Sequence, residues 1–145
     1  MKLSTKCRYG VRAMFEIARH YGQGAIKRKH ITEAQGISHG YLENILIALK
    51  SHQLIRTTRG ANGGFVLDHK PSAVKLLDIV EALEGSLAPV ECVDNPAVCE
   101  RVPRCPARVV WRKLHEAQVA VLSGMTLQDL LDLDDKQAGA ADYVI

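Results

Sequence analysis

The chain has few aromatic residues, little net charge and no long apolar run. Aromatic side chains make up 5% of its 145 residues, and the formal net charge at pH 7 is +3. No apolar stretch approaches the roughly 18 residues that a membrane-spanning helix needs. Lys2, Lys6 and Arg8 interrupt the N-terminus, which therefore lacks the apolar core of a secretory signal peptide. These absences predict a cytoplasmic protein with no membrane partner.

The charge that is present is unevenly distributed. Basic residues are frequent up to Arg59, whereas the segment from Asp129 to Asp135 is acidic. A basic front half favours a polyanionic partner such as a nucleic acid, although a solvated charged face would explain the charge equally well. Hydrophobic residues make up 47% of the chain, which is enough for a packed core.

The first part of the chain shows a helix-turn-helix pattern. Apolar residues at helical spacing predict a first helix over 5–21. A short second helix is expected to begin at Thr32 and to end at Gly36, and Ser38 is placed to cap a third helix. Two helices separated by such a tight turn are typical of DNA-binding heads, and also of other small helical bundles.

Two short β-prone runs follow, at 54–58 and 65–67. They flank the segment Arg59–Gly64, whose Asn-Gly pair suits the positive φ of a tight hairpin. This hairpin is the expected wing. Together the patterns predict a mainly α fold with a small β wing, in which residues 1–70 form a winged helix-turn-helix head.

Polar residues on the outer side of the third helix and at the wing tip are the candidate DNA contacts. Asn44 can pair with adenine through two hydrogen bonds, whereas hydroxyl and imidazole groups can reach phosphates or base edges. Arg59 suits a narrow minor groove, and the glycines after it allow the backbone to approach a duplex closely. For His39 and Tyr41, packing on the helix surface is an equally good explanation. The candidates are Ser38, His39, Tyr41, Asn44, Lys50, Arg59, Gly60, Asn62 and Gly63.

The second part of the chain predicts a connecting segment and a pairing helix. A helix from Pro71 to Glu84 and a proline-rich loop make up the connecting segment, 71–106. The following region, 107–133, contains a long helix and a short terminal helix, and 134–145 is expected to be a mobile tail. In the long helix one narrow apolar seam is of the kind that a helix presents to a partner helix. Its members are Val110, Leu114, Ala117 and Val121.

Three of the four cysteines, Cys92, Cys99 and Cys105, lie in the proline-rich loop. In a reducing compartment, clustered thiols more often bind metal or react with oxidants than form disulfides. Their spacing is wider than that of structural zinc sites and suits an iron–sulfur cluster, for which thiolates are good ligands. Cys7 is the remaining thiol and could be a fourth ligand or a small core residue. The nearby carboxylates that could serve instead are Glu91, Asp94 and Glu100.

Two alternatives to a cluster-dependent regulator remain open. In the first, the loop cysteines sense oxidants as thiols or hold zinc within the same fold. In the second, one of them is the nucleophile of a small enzyme, which would need a nearby histidine and an orienting Asn or Asp. No nucleophile motif surrounds any cysteine, so the sequence predicts no catalytic residues, no enzyme activity and no small-molecule substrate.

Several of these segments resemble the Rrf2 family of bacterial transcriptional regulators. The segments are the opening Met1–Met14, the turn and helix start Ile37–Glu43, the wing Arg59–Phe65 and the cysteine loop leading to Trp111. The likeness extends from residue 1 to about 133. The iron–sulfur cluster regulator (IscR) branch looks most similar, and the nitric-oxide-sensing (NsrR) branch is near.

The resemblance implies a homodimeric winged-helix transcription factor that binds a pseudo-palindromic operator in double-stranded DNA. It implies that the three loop cysteines are cluster ligands. It also implies that Glu43 lies at the DNA interface, where a carboxylate disfavours many base sequences, although a surface helix charge would look the same. The other positions that match the family's DNA interface are Ser38, Tyr41 and Arg59.

The fourth cluster ligand departs from the family pattern. Arg108 stands where the IscR branch has a histidine ligand, and Arg8 stands where the NsrR branch has a carboxylate. Cys7, donated by the partner subunit, is then the candidate. A two-iron cluster is favoured, and all-cysteine ligation is also compatible with a four-iron cluster.

Overall fold

The structure, a computed structural model, describes residues 2–141, which form a mainly helical molecule with one small antiparallel sheet. The predicted fold class, a winged helix-turn-helix head with a long C-terminal helix, is confirmed. Short 3₁₀ turns lie at Pro71–Ala73, Pro96–Val98 and Val102–Arg104. The elements in chain order are α1 Thr5–Arg19, α2 Arg28–Gln35, α3 His39–Ser51, β1 Ile55–Thr58, β2 Gly64–Leu67, α4 Leu76–Glu84, α5 Glu91–Asp94, α6 Pro106–Ser123 and α7 Leu127–Ala141.

Helix α1 is the centre of the head, and it packs against α2, α3, α4, α7 and β2. Ser4 caps its start, where the side-chain oxygen accepts a hydrogen bond from the backbone N–H of Cys7 at 3.0 Å. Met14 and Ile17 are buried on its inner face. Burial of such side chains contributes about 1.5–3 kcal/mol each, so this shared face stabilises the whole head.

Helices α1 and α4 cross at Gly10, which is buried. A Cβ atom built at this position would overlap the Cδ1 atom of Leu83 on α4, and Cγ of the same leucine would be 3.3 Å away. The missing side chain therefore sets how closely the two helices approach.

Helix α2 begins four residues earlier than expected. It starts at Arg28, so Thr32 lies inside the helix, where its hydroxyl donates a hydrogen bond to the carbonyl oxygen of Lys29 at 2.7 Å. The prediction that Thr32 begins the helix is wrong because Lys27, at the N-cap, makes no side-chain cap bond and leaves no signal in the sequence. The predicted end is confirmed, since Gly36 adopts a left-handed φ of 61°.

The wing pairs β1 with β2 in an antiparallel register that runs from Ile55 opposite Leu67 to Thr58 opposite Gly64. The positive φ of the turn lies at Gly60, at 103°, and not at Asn62. The expectation of an Asn-Gly turn is therefore wrong, because five residues connect the strands and the reversal occurs earlier in the loop. The N–H of Gly63 donates to the carbonyl oxygen of Gly60 at 3.0 Å, and a side chain there would overlap the backbone of Thr58.

The last helix returns to the head. The N–H of Leu76 donates to the carbonyl oxygen of Met125 at 2.9 Å, and the N–H of Leu127 donates to that of Val74 at 3.0 Å. Leu127 is fully buried, and α7 packs against α1. The single helix expected from Pro71 to Glu84 is replaced by a 3₁₀ turn, the extended residues Val74 and Lys75, and α4. This segment is extended because its backbone bonds to the residues around the start of α7.

Helix α7 also runs to Ala141, so the predicted end at Leu133 is wrong. Residues 134–141 continue the helix although Gly139 lies among them, since no proline interrupts the segment. Residues 142–145 of the predicted tail lie outside the described residues. The division into a head, a connecting segment and a dimerisation region stays a prediction, to which the structure adds a contact between the last helix and the head.

Replacing Leu127 by Ala is expected to lower the free energy of unfolding by about 2–5 kcal/mol, since the substitution leaves a cavity in a fully buried position. The matched control is Leu133→Ala on the exposed side of the same helix, which should change it by less than about 1 kcal/mol. Urea unfolding at one fixed protein concentration measures both. A loss for Leu127→Ala as small as that expected for Leu133→Ala would show that α7 is not part of the core.

Candidate nucleic-acid interface and cysteine loop

Helix α3 buries one face and exposes the other. Leu42, Ile45 and Leu49 are fully buried against the head. The candidate DNA contacts Ser38, His39, Glu43, Asn44 and Lys50 are exposed. Ser38 occupies the N-cap position without making a side-chain cap bond, so its hydroxyl is available to a ligand. The structure therefore brings the predicted helix residues to one accessible side of the head.

Tyr41 is half-buried between α3 and α1. Its ring meets the Tyr9 ring edge to face at a centroid distance of 5.8 Å, and the guanidinium of Arg12 lies 5.3 Å from the Tyr9 ring centroid. This packing fixes the direction of the Tyr41 side chain. Both interpretations of Tyr41, as a packing residue and as a DNA contact, are compatible with the position.

The carboxylate of Glu43 is linked to α2. An oxygen of this carboxylate lies 3.5 Å from Nη2 of Arg28, and both side chains are partly exposed. The Nε atom of Arg28 is buried and has no hydrogen-bond partner within the described residues. Arg28 was not among the predicted site residues, because only the folded structure brings α2 next to position 43.

The wing tip is accessible beside α3. Arg59, Gly60 and Asn62 are exposed, and Gly63 is half-buried. At the other end of α3, Nζ of Lys50 donates to the hydroxyl of Thr57 in β1 at 3.3 Å. This bond links α3 to the wing, and these are the two elements predicted to contact DNA.

Ile47 is a feature of α3 that the sequence pattern did not single out. Its side chain is 62% exposed on a helix whose other large aliphatic side chains are buried. In the sequence, its position outside the apolar stripe of α3 is the signal that could have identified it as exposed. An exposed aliphatic group on this helix can contact the methyl group of thymine.

The three loop cysteines are free thiols at the surface. Cys92 lies in α5 and is half-buried, Cys99 is exposed, and Cys105 is half-buried at the N-cap of α6. Nε of Arg108 donates to the carbonyl oxygen of Cys92 at 2.9 Å. The residue that replaces the expected histidine thus connects the loop to α6. An open cavity of about 300 Å³ lies beside Cys105 and is lined by Arg104, Arg108 and Arg112 among others.

The three thiols are not gathered as closely as ligands of a single ion would be. Within residues 2–141, they do not form a group whose ligand atoms all lie within 4.8 Å of one another. Zinc held by thiolates at about 2.3 Å would require sulfur–sulfur distances of about 3.8 Å. A cluster accepts wider spacing because its ligands bind different irons. The surrounding arginines would offset the negative charge of a thiolate-bound cluster.

Cys7 lies in a different environment. It is fully buried at the start of α1, and burial is the main reason why its pKa is raised to about 11, with the adjacent Glu84 carboxylate adding to the effect. A metal ligand must be a thiolate, which this environment disfavours. Its full burial supports the core-residue alternative, and the role of Cys7 as a ligand stays a prediction. Glu91, Asp94 and Glu100 remain exposed near the loop.

Helix α6 has no buried residue over its 18 positions. Its seam residues Val110 and Leu114 are exposed, and Val121 is 63% exposed. Trp111 adds a large aromatic surface to the same helix. An apolar helix face of this length is unusual for a surface in contact with water only. Among residues 2–141, no helix is both long and apolar enough to cross a membrane.

Comparisons with known proteins agree with this architecture. The sequence model of the Rrf2 family, described as iron-dependent transcriptional regulator, matches residues 3–133. The protein rrf2 of Nitratidesulfovibrio vulgaris is 39% identical over 131 residues, which cover 90% of this chain and 87% of that protein. The structure of CymR, the global cysteine regulator of B. subtilis, has a TM-score of 0.79 at 37% identity and covers 92% of this chain and 98% of its own. That of T. potens IscR has a TM-score of 0.78 at 37% identity, with coverages of 95% and 90%.

These relatives are regulators and not enzymes, as the absence of a nucleophile motif predicted. Since the family match extends over most of the chain and the head contains both a helix-turn-helix and a wing, the chain belongs to the Rrf2 family of DNA-binding transcriptional regulators.

Proposed function

We propose that this regulator binds a pseudo-palindromic operator in double-stranded DNA as a homodimer, and that an iron–sulfur cluster on Cys92, Cys99 and Cys105 controls its affinity. The observation that carries the proposal is the gathering of three free thiols in one surface loop that Arg108 ties to the exposed helix α6. A two-iron cluster is the favoured form, and a four-iron cluster is the second candidate.

DNA recognition is assigned to α3 and the wing. With α3 in the major groove, Asn44 can read an adenine, and Ile47 can contact a thymine methyl group. Ser38, His39, Tyr41 and Lys50 would contact phosphates or base edges near the ends of the helix. Arg59 at the wing tip would enter the adjacent minor groove. Exposed Gly60 and Asn62, with half-buried Gly63, would let the wing backbone approach the duplex.

Glu43 is proposed as a residue that discriminates between operators. An unpaired carboxylate at a DNA surface is repelled by phosphates and rejects many bases. Because Arg28 lies 3.5 Å from this carboxylate, part of its charge is offset before DNA binds. The pair would therefore lower the affinity for DNA of other base sequences without preventing binding altogether.

Cluster binding would act on the position of the head. Bound to the three thiolates, the group supplies redox and ligand-exchange chemistry that responds to iron supply, oxygen or nitric oxide. Cys92 and Cys105 would fix α5 to the start of α6, and the Arg108 bond to the Cys92 carbonyl already orders one side of this loop. A coupling of about 1–3 kcal/mol between loop order and head orientation is enough to change operator affinity five-fold or more.

The fourth ligand is proposed to come from an exposed carboxylate near the loop, from the partner subunit or from solvent. Arg108 is unsuitable because its guanidinium carries no lone pair for a metal. Cys7 is fully buried within its own chain, so it would have to become accessible before it could bind the cluster.

The second candidate function is a cluster-free regulator in which the same thiols react with oxidants or hold zinc. It is favoured by one observation, the solvent exposure of Cys99 among three free thiols. Iron and sulfide analysis separates the two functions.

Protein isolated without oxygen is expected to contain iron and sulfide and to absorb visible light. Cys92→Ser, Cys99→Ser and Cys105→Ser should each lose most of the iron, because each removes one ligand. Cys7→Ala is the matched control and should retain the iron content and spectrum while losing some stability. Wild-type protein with zinc or no metal would contradict the cluster, and iron loss in Cys7→Ala with an intact fold would restore that residue as a ligand.

Operator binding is expected to depend on Arg59. Arg59→Ala should weaken binding by about 1–3 kcal/mol, measured by fluorescence anisotropy at fixed salt. Lys136→Ala, an exposed cation on α7 away from the wing, is the matched control and should change the affinity little. Equal effects of the two substitutions would remove the wing from the interface. Equal affinity of the cluster-loaded and apo proteins would refute cluster control and leave DNA binding intact.

The seam of α6 is expected to be the dimer interface. Leu114→Glu and Val121→Glu should each raise the dimer dissociation constant by about 100-fold or more, because a charge buried without a partner costs several kcal/mol. Val98→Glu, at an exposed apolar position in the loop, is the control. Sedimentation analysis measures the effect, and a wild-type monomer at micromolar concentration would overturn the assignment.

A further inference from the structure

The head contains a second group of metal-ligating side chains, away from the cysteine loop. Glu16 and His20 lie at the C-terminal end of α1, and His30 lies in the first turns of α2. Their ligand atoms all lie within 4.8 Å of one another. They form the single such group among residues 2–141, and neither the operator nor the cluster requires them.

The carboxylate of Glu16 is unusual because the side chain is only 4% exposed. Nε2 of Gln35 donates to its Oε2 atom at 3.0 Å. Its Oε1 atom instead faces two imidazole nitrogens, Nδ1 of His20 at 3.8 Å and Nε2 of His30 at 3.7 Å. These distances are too long for hydrogen bonds. One buried carboxylate oxygen is thus surrounded by nitrogen atoms without bonding to them.

The spacing suits a small metal ion. Imidazole nitrogen and carboxylate oxygen bind zinc at about 2.0–2.1 Å, which places neighbouring ligand atoms of a tetrahedral site about 3.3 Å apart. Rotations that shorten the two Glu16–histidine distances by about half an ångström bring these pairs to that spacing. The two imidazole rings already stand edge to face with centroids 4.8 Å apart.

We propose that Glu16, His20 and His30 form a binding site for a divalent transition metal of the zinc class. Imidazole with one carboxylate suits zinc, nickel or copper, and three protein ligands leave a fourth position for water. Nδ1 of His20 donates to the carbonyl oxygen of Glu16 at 3.0 Å, so coordination through that atom replaces this bond and places the ring proton on Nε2. The ion joins α1 to α2 and clamps two helices of the head.

The outer contacts connect the site to the third helix. Gln35, which holds Glu16, accepts a hydrogen bond from Nε of Arg12 at 3.1 Å. Arg12 lies against the ring of Tyr9, which meets Tyr41 of α3. Residues that hold a ligand in this way change metal affinity by about 10–100-fold when removed. Gln35 is therefore a positioning residue for the site.

Zinc could also bind the loop thiols, so the test uses the full chain without a histidine tag and with Cys92, Cys99 and Cys105 replaced by Ser. Zinc is titrated while the histidine ring resonances are recorded. The proposal expects the signals of His20 and His30 to change at one zinc per chain while those of His69, an exposed histidine outside the group, stay constant. Unchanged signals of His20 and His30 overturn it.

Variants of the same chain test the clamp. Zinc at 100-fold excess over its dissociation constant should raise the melting temperature by about 5–10 °C. Glu16→Gln and His30→Ala should each weaken zinc affinity at least about ten-fold, and His69→Ala should not change it. His30 is more than half exposed, so its variant should fold even if Glu16→Gln does not. Equal zinc affinity of His30→Ala and His69→Ala refutes the site.

Discussion

The close approach of α1 and α4 at Gly10 is the contact on which the rest of the molecule depends. Because no side chain separates the helices, Leu83 fills the space above Gly10, and α4 can lie on the same helix that carries α2, α3 and the last helix. Three parts of the protein meet on α1: helix α3, helix α4, whose end leads to the cysteine loop, and the returning helix α7. A change in the angle of α4 would therefore shift α3, because both helices pack against α1.

Two polar connections lie at the periphery of this helix packing. On one side, Arg108 holds the Cys92 carbonyl and links the thiol-bearing loop to α6. On the other, Glu16 and Gln35 link the ends of α1 and α2, and Arg12 continues this contact toward Tyr9. The buried Glu16 costs solvation energy that an apolar residue would avoid. An ion bound at the proposed site would offset this cost.

Much of the fold could be predicted from the sequence, because periodic apolar residues mark α1, α3 and α6, and glycines follow the ends of α2 and α4. The predicted start of α2 is wrong because Lys27 gives no cap signal. The predicted end of α7 is too early because its acidic residues resemble a solvated tail. The exposed positions on α3 followed from the helical stripe. The Arg28–Glu43 pair and the Glu16–His20–His30 group could not be predicted, since they bring together side chains from separate helices whose crossing only tertiary packing determines.

The return of α7 to the head has a consequence for synthesis of the chain on the ribosome. Leu127 completes the core of a head whose wing ends at Leu67, so the N-terminal half leaves the ribosome before its final packing partner exists. At about 5–20 residues per second, the remaining translation takes several seconds. During that interval the groove along α1 is open to solvent and to chaperones. The regulator therefore reaches its complete structure only after α7 has left the ribosome.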